Sequence, residues 1–317
     1  MAELDRTGDL NETVETDKAA ENGTPEETGK KKNKKQKEKK SLGQEILSWI
    51  LTILAAVAIA LVIRSFIFEP VRVDGHSMDD TLADGEIMFV TKFDYSSTWL
   101  SLPWQSDEEK ESASRITFSG DPARFDVVIC RYPGRGDTNF VKRVTGLPGD
   151  TVSFSDGYLY VNGEKQEETY INDEYRIGFK NSMDEFTVPK KGDALRIKED
   201  GYLYVGDEPW PWSNGSISGV SSDGERLTYH QGSLLLDGKE ITRSGGQYMI
   251  GGEAVDHNPI EDITGRDYYL ESDMYFVCGD HRNNSNDSRS VGPIDRSMII
   301  GHVRQVLLPF SAWRGVK

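Results

Sequence analysis

Two residues of this 317-residue chain have the types and surroundings for acyl chemistry without a histidine. Ser77 lies in Asp74-Gly75-His76-Ser77-Met78-Asp79-Asp80-Thr81-Leu82, just after Val71-Arg72-Val73, whose alternation reads as a strand. A serine where a strand ends can leave its own N–H free to face a developing oxyanion. Gly75 lets the backbone come close to whatever lies opposite. Taken alone, a serine in a Gly-containing turn is an ordinary turn former, so the identity of a base decides the matter. The five histidines, His76, His230, His257, His281 and His302, stand in no recognisable Ser-His-Asp context. Lys142, in Phe140-Val141-Lys142-Arg143, is the alternative. A lysine at its reference pKa of about 10.4 is protonated and useless as a base, but burial among apolar side chains lowers that value by several units. A drop of about three units costs about 4 kcal/mol, which a packed β core could supply, with Phe140 and Val141 in the desolvating wall. The competing reading is a surface lysine beside Arg143.

The elements that must position this pair begin with an apolar run. Ile46 to Ile63 is 18 residues without a charge. As a helix it spans about 27 Å, close to the hydrocarbon thickness of a bilayer. A cleaved signal peptide would have a short leader, a shorter apolar core and a small-x-small exit, whereas this run exits as Arg64-Ser65-Phe66-Ile67-Phe68. A buried core helix would rarely be apolar on every face. A transmembrane anchor over 42–68 fits best, with Arg64 snorkelling. The preceding 29 residues hold nine acids and two bases and no apolar run, a disordered composition. Lys30 to Lys40 then carries eight lysines and one acid. Residues 1–41 therefore read as a disordered cytoplasmic tail, with the lysines setting topology and attracting anionic lipid. Residues 69–317 become an extracytoplasmic domain. The two charged segments cancel, seven net negative against seven net positive, so residues 41–317 keep the whole net charge of −16. That excludes a basic nucleic-acid surface.

After the anchor the texture is short β-like runs with Gly, Pro and Asp punctuation, which predicts an all-β ectodomain and a mostly β fold class. Residues 151–274 read as an inserted, non-catalytic β subdomain. It contains a near-repeat, Asp156-Gly157-Tyr158-Leu159-Tyr160-Val161-Asn162-Gly163-Glu164 and Asp200-Gly201-Tyr202-Leu203-Tyr204-Val205-Gly206-Asp207-Glu208, with a looser echo at Gly232–Glu240. Each copy reads as strand, Gly turn and returning strand. The aromatic stretch Tyr95–Trp104 is either tucked against its own sheet or dipped into the bilayer interface, and Phe310 and Trp313 are a second interface candidate. Cys130 and Cys278 match no metal spacing; they read as two buried thiols, a disulfide needing Cα atoms within about 7 Å.

Three ordered stretches resemble the boxes of bacterial type I signal peptidases. They are Arg64–Pro70 leading into Gly75-His76-Ser77-Met78, then Phe140–Arg143 with Gly146-Leu147-Pro148-Gly149-Asp150, then Gly279-Asp280-His281-Arg282-Asn283-Asn284-Ser285-Asn286-Asp287-Ser288-Arg289. The resemblance covers residues 64–150 and 275–309. It implies a membrane-bound serine endopeptidase that uses no cofactor or metal and removes signal peptides from exported preproteins, close to the secretion machinery. Ser77 would be the nucleophile and Lys142 its general base, the Ser-Lys variant of triad logic. Ser285 matches the hydroxyl that orients the lysine amine. Asp280, Asp287, Arg143 and Arg289 match charged positions that brace the site. Substrate would add as a β-strand beside Val71 to Gly75 and Phe140 to Val141. Val71, Val73, Met78, Leu82 and Val141 would form shallow pockets selecting the small residues of an A-x-A pattern. The chain departs from the family pattern at Asp80, where proline is usual, and at His281, Cys278 and Val291. A carboxylate at Asp80 would raise the Lys142 pKa and move activity to more alkaline pH. Rival readings are a dedicated Ser-Lys protease of one substrate and a non-catalytic anchored β module.

Overall fold

The computed structural model describes residues 41–66, 68–92, 94–95, 120–136, 138–176 and 182–316. The expectations for the tail, for the loop from Ser96 to Trp104 and for the Arg64 side chain lie outside what is described. The chain divides into two units, Met1–Ile50 and Leu51–Lys317.

The apolar run forms the helix Leu42–Phe66. Its first turn carries a capping box: Gln44 N donates to Ser41 Oγ at 3.4 Å, and Ser41 N donates to Gln44 Oε1 at 3.2 Å. A core helix would bury its apolar side chains. Here Ile46, Trp49, Ile53, Leu54 and Ile59 are exposed, which sets the core-helix reading aside. The stretch Leu42–Ile63 has the length and composition to cross a membrane.

Beyond the helix the structure is mostly β. Strands β1 (Phe68–Arg72), β2 (Ile87–Thr91), β3 (Val127–Cys130) and β4 (Phe140–Gly146) belong to an eight-stranded sheet. Its order is β1, β2, Ile299–Leu308, β3, β4, Met274–Cys278, Ile294–Asp295, with Arg314–Gly315 beside Ile299–Leu308. Neighbours run antiparallel, as in β3 on β4, where Val128 faces Lys142 and Cys130 faces Phe140. One face packs Val73, Met78, Leu82, Met88, Val90, Val127 and Ile129. The other packs Val128, Cys130, Val144, Tyr275, Val277 and Ile299. Successive residues of β3 and β4 thus bury side chains on opposite faces of the sheet.

Residues 151–270 build a four-stranded and a ten-stranded sheet. The near-repeat reads correctly as hairpins. Asp156-Gly157 and Asn162-Gly163 turn at φ 51° and 79° and at 53° and 78°, the left-handed pair of a two-residue hairpin loop. The core of this region, from Val152 through Leu195 to Tyr268, is continuous with Phe276 and Cys278. Cys130 and Cys278 are free and buried rather than paired, and burial pushes each thiol up to about 12.

Candidate active site

Ser77 opens a turn that the core holds from beneath. Thr81 N and Leu82 N both donate to Met78 O, at 3.0 and 2.8 Å, and Met78 and Leu82 insert into the sheet's apolar face. Gly75 sits at φ 101°, a conformation that favours glycine, and no atom lies within 4 Å of where its Cβ would be. Its role is the turn itself; among the described residues there is no close approach for it to permit.

Lys142 stands on β4 between Phe140 and Val144. Its Nζ lies 2.8 Å from Ser77 Oγ and donates to Val141 O at 2.8 Å. Only 2% of Lys142 is exposed. Burial holds its amine below the usual lysine range, opposed by Cys130, Asp287, Cys278 and Asp280. The surface-lysine alternative is thus excluded by position. The Phe140 ring centroid is 6.0 Å from Nζ, part of the desolvating wall; Val141 contributes its carbonyl as well.

The third motif clamps the other two. Arg143 Nε and Nη2 donate to the two oxygens of Asp280 at 2.9 and 2.7 Å, with both side chains fully buried. Thr81 Oγ1 donates to Asp280 Oδ2 at 2.5 Å, so the Ser77 turn, β4 and the Gly279–Arg289 loop meet at one carboxylate. Asp287 accepts Gly279 N at 3.0 Å and two Arg289 guanidinium bonds at 2.9 and 2.8 Å. Burial would raise its pKa, but Arg289 and these hydrogen bonds hold it below the usual carboxylate range. The four charged residues form two internal ion pairs. His281 N donates to Ser77 O at 3.1 Å, which pins the peptide of Ser77 itself.

Val71, Val73, Gly75, Met78, Phe140 and Val141 line a cleft of about 280 Å³ together with Ser77 and Lys142. Leu82 does not. It is fully buried, and its place is in the core under the turn, because the turn's hydrogen bond to Met78 directs it inward. A larger cavity of about 800 Å³ lies between Met183–Thr187 and Glu208–Pro209, touching neither Ser77 nor Lys142. The smaller cleft is the one with chemistry in it. Ser285 Oγ is buried against Gly279 and beside the Asp287 carboxylate, and makes no hydrogen bond to Lys142.

Asp80 departs from expectation. Its φ is 79°, and its Oδ2 accepts Asn172 N at 3.2 Å. Asp287 and Asp280, rather than Asp80, are the foremost carboxylates favouring the charged amine. Sequence reasoning also missed Glu168, Tyr170 and Tyr175, which contact Arg282, Arg143 and His281. Glu168 carried a findable signal: the Gly279–Arg289 stretch holds two acids, Asp280 and Asp287, against Arg282 and Arg289, with Arg143 a third cation needing a partner.

The profile of the signal peptidase family, peptidase S26, matches residues 46–209 and 220–308. A signal peptidase I from Bacillus licheniformis is 34% identical over 164 residues, 51% of this chain and 73% of that protein. Signal peptidase I S of Bacillus subtilis (strain 168) is 27% identical over 272 residues, 86% of this chain and 94% of that protein. A crystal structure of a signal peptidase I from Enterococcus faecalis V583 has 22% identity, covers 58% of this chain and 97% of its own, and superposes with a TM-score of 0.28. Since the family match takes in the Ser77 turn, β4 and the Gly279–Arg289 loop alike, the chain belongs to the signal peptidases of the S26 peptidase family.

Proposed function

We propose that the chain is a membrane-anchored endopeptidase that removes N-terminal signal peptides from exported preproteins, with Ser77 as nucleophile and Lys142 as general base. The observation that carries this reading is the 2.8 Å contact between Ser77 Oγ and a lysine amine whose hold on its proton burial weakens. With Lys142 uncharged, the contact runs from the Ser77 O–H to the amine lone pair. Ser77 Oγ attacks the scissile carbonyl as Lys142 takes the proton. The resulting ammonium then protonates the leaving amine, and a water activated by Lys142 resolves the acyl-enzyme. Ser77 N–H makes no hydrogen bond among the described residues and is the first oxyanion donor. Gly75 offers no side-chain hydroxyl as a second.

The cleft supports an extended substrate. β1 is an edge of its sheet, and Met274–Cys278 pairs β4 only from Arg143 onward, so Phe140–Lys142 also has an open edge. A peptide strand between the two edges would gain main-chain hydrogen bonds, while the small cleft favours alanine-sized side chains. The exposed apolar helix supports an anchor that keeps this cleft beside the bilayer, and the lysine cluster before it supports a cytoplasmic N-terminus. The test is incubation of the purified full chain in detergent with a preprotein carrying an A-x-A site, the product read by mass spectrometry. Cleavage at the expected bond by wild type, and none by Ser77→Ala or Lys142→Ala, is the expected result. Wild-type rates from either variant would refute the assignment.

A further inference from the structure

One short segment of the region that reads as accessory in sequence reaches every stretch that builds the catalytic pair. Asn172 N donates to Asp80 Oδ2 at 3.2 Å, on the Ser77 turn. The Tyr170 ring lies against the Arg143 guanidinium, 3.7 Å from its centroid, next to Lys142 on β4. Glu168 receives both terminal nitrogens of Arg282, and the Tyr175 ring stacks on His281 at 3.9 Å. Asn283 Nδ2 donates to Glu174 O at 3.3 Å. The segment is itself tied together. Tyr170 O–H donates to Glu168 Oε1 at 3.0 Å, and Arg176 donates to Glu168 Oε2 and Glu168 O at 2.9 and 2.8 Å.

We propose that Glu168–Arg176 is a positioning segment for the Ser77–Lys142 pair, with Tyr170 and Glu168 as its anchors. This rests on the catalytic reading above. Ser77 and Lys142 lie on separate elements, and the Arg143–Asp280–Thr81 clamp joins those elements. A clamp of charged hydrogen bonds holds its geometry only while water is kept from competing for the same donors. The Tyr170 face covers one side of the guanidinium, and Glu168 neutralises Arg282, which donates through Nε to Gly279 O at 3.1 Å beside the clamp. Glu168 and Arg282 are both fully buried, and the two arginines around Glu168 keep its carboxyl below the usual range despite that burial. Removing the Tyr170 face lets the turn and β4 drift apart. Catalysis is sensitive to a displacement of about 1 Å.

The experiment uses the full chain in detergent with a preprotein substrate, comparing Tyr170→Leu, Tyr170→Phe, Ser77→Ala and wild type. Tyr170→Leu is expected to lower kcat roughly tenfold or more with KM within about twofold, while Tyr170→Phe, which keeps the stacking face, stays within about twofold of wild type in both. Wild-type kcat in Tyr170→Leu overturns the proposal, as does a loss shared equally by Tyr170→Phe or confined to KM. Should Tyr170→Leu fail to fold, Tyr175→Leu, at a half-buried ring stacked on His281, takes its place with the same expectation for kcat. Activity remaining in Ser77→Ala would instead sink the catalytic reading, so the two failures are distinguishable.

Discussion

Asp280→Asn isolates the clamp at its centre. The substitution keeps volume and one acceptor oxygen, but turns an NH₂ towards a guanidinium nitrogen now 2.7 or 2.9 Å from a carboxylate oxygen. Both side chains are 0% exposed, so water cannot replace the lost charge. Removing one partner of a buried pair costs about 3–5 kcal/mol. The lower end applies here, because Phe125 O still accepts Arg143 Nη1 at 2.7 Å and the Tyr170 ring still covers the guanidinium. About 3 kcal/mol at roughly 2–4 °C per kcal/mol predicts a fall in Tm of roughly 6–12 °C. The assay is thermal unfolding of the purified full chain in detergent, followed by tryptophan fluorescence at constant pH and salt. A fall under about 3 °C would refute the claim that this pair is sealed from water. The double variant Arg143→Met with Asp280→Leu should regain most of the lost stability, since apolar replacement of a whole buried pair is often neutral. Its kcat should stay low, because the turn, β4 and the loop no longer share an acceptor. Recovery of activity along with stability would mean the clamp has no positioning role.

Other predictions follow from single features. The rate should rise with pH as Lys142 loses its proton, with an apparent pKa below the ordinary lysine value of 10.5; a kcat/KM profile whose acid limb sits at or above that value would refute a buried base. Lys142→Met should stabilise the protein most at neutral pH and less as pH approaches the ordinary lysine range. The unfolded lysine binds a proton that the folded one resists, so the desolvation cost that the variant removes fades on alkalinisation; equal stabilisation at pH 7 and pH 10, read by urea midpoints, would contradict this. Asp80→Pro, although it restores the usual family residue, should lose about 1–3 kcal/mol, because proline cannot adopt φ 79°; an unchanged Tm would count against it. Gly279→Ala places a Cβ 2.4 Å from Ser77 O and 2.3 Å from Ser285 Oγ, and should lower kcat roughly 10²-fold by moving the nucleophile's peptide; wild-type turnover would show that the turn can yield.

What could be read from the sequence was what rests on local pattern. The apolar run announced the helix Leu42–Phe66, and the Asp-Gly and Asn-Gly pairs announced hairpins, because turn φ values and burial period are written into a few adjacent residues. Ser77 and Lys142 were legible as types and through the order of the motifs, but their 2.8 Å contact depends on pairings across the sheet that no local stretch encodes. Three misjudgements share a cause. The resemblance puts Leu82 in a pocket wall, whereas the turn's hydrogen bonds aim it into the core. The carboxylate of Asp80 accepts from Asn172, a partner that its place in the motif does not reveal. Glu168 and Tyr170 escaped notice because their partners Arg282 and Arg143 are far along the chain, and a buried ion pair leaves no periodic trace.

The strand Ile299–Leu308 lies between β2 and β3, although the whole of residues 151–270 separates it from them in sequence. Until it enters that gap, β2 and β3 are left with raw hydrogen-bonding edges, and the clamp at Asp280 is left to tie the Ser77 turn to β4. Assembly of the cleft therefore waits on a strand distant in sequence, and chains truncated before Ile299 should be inert in the cleavage assay.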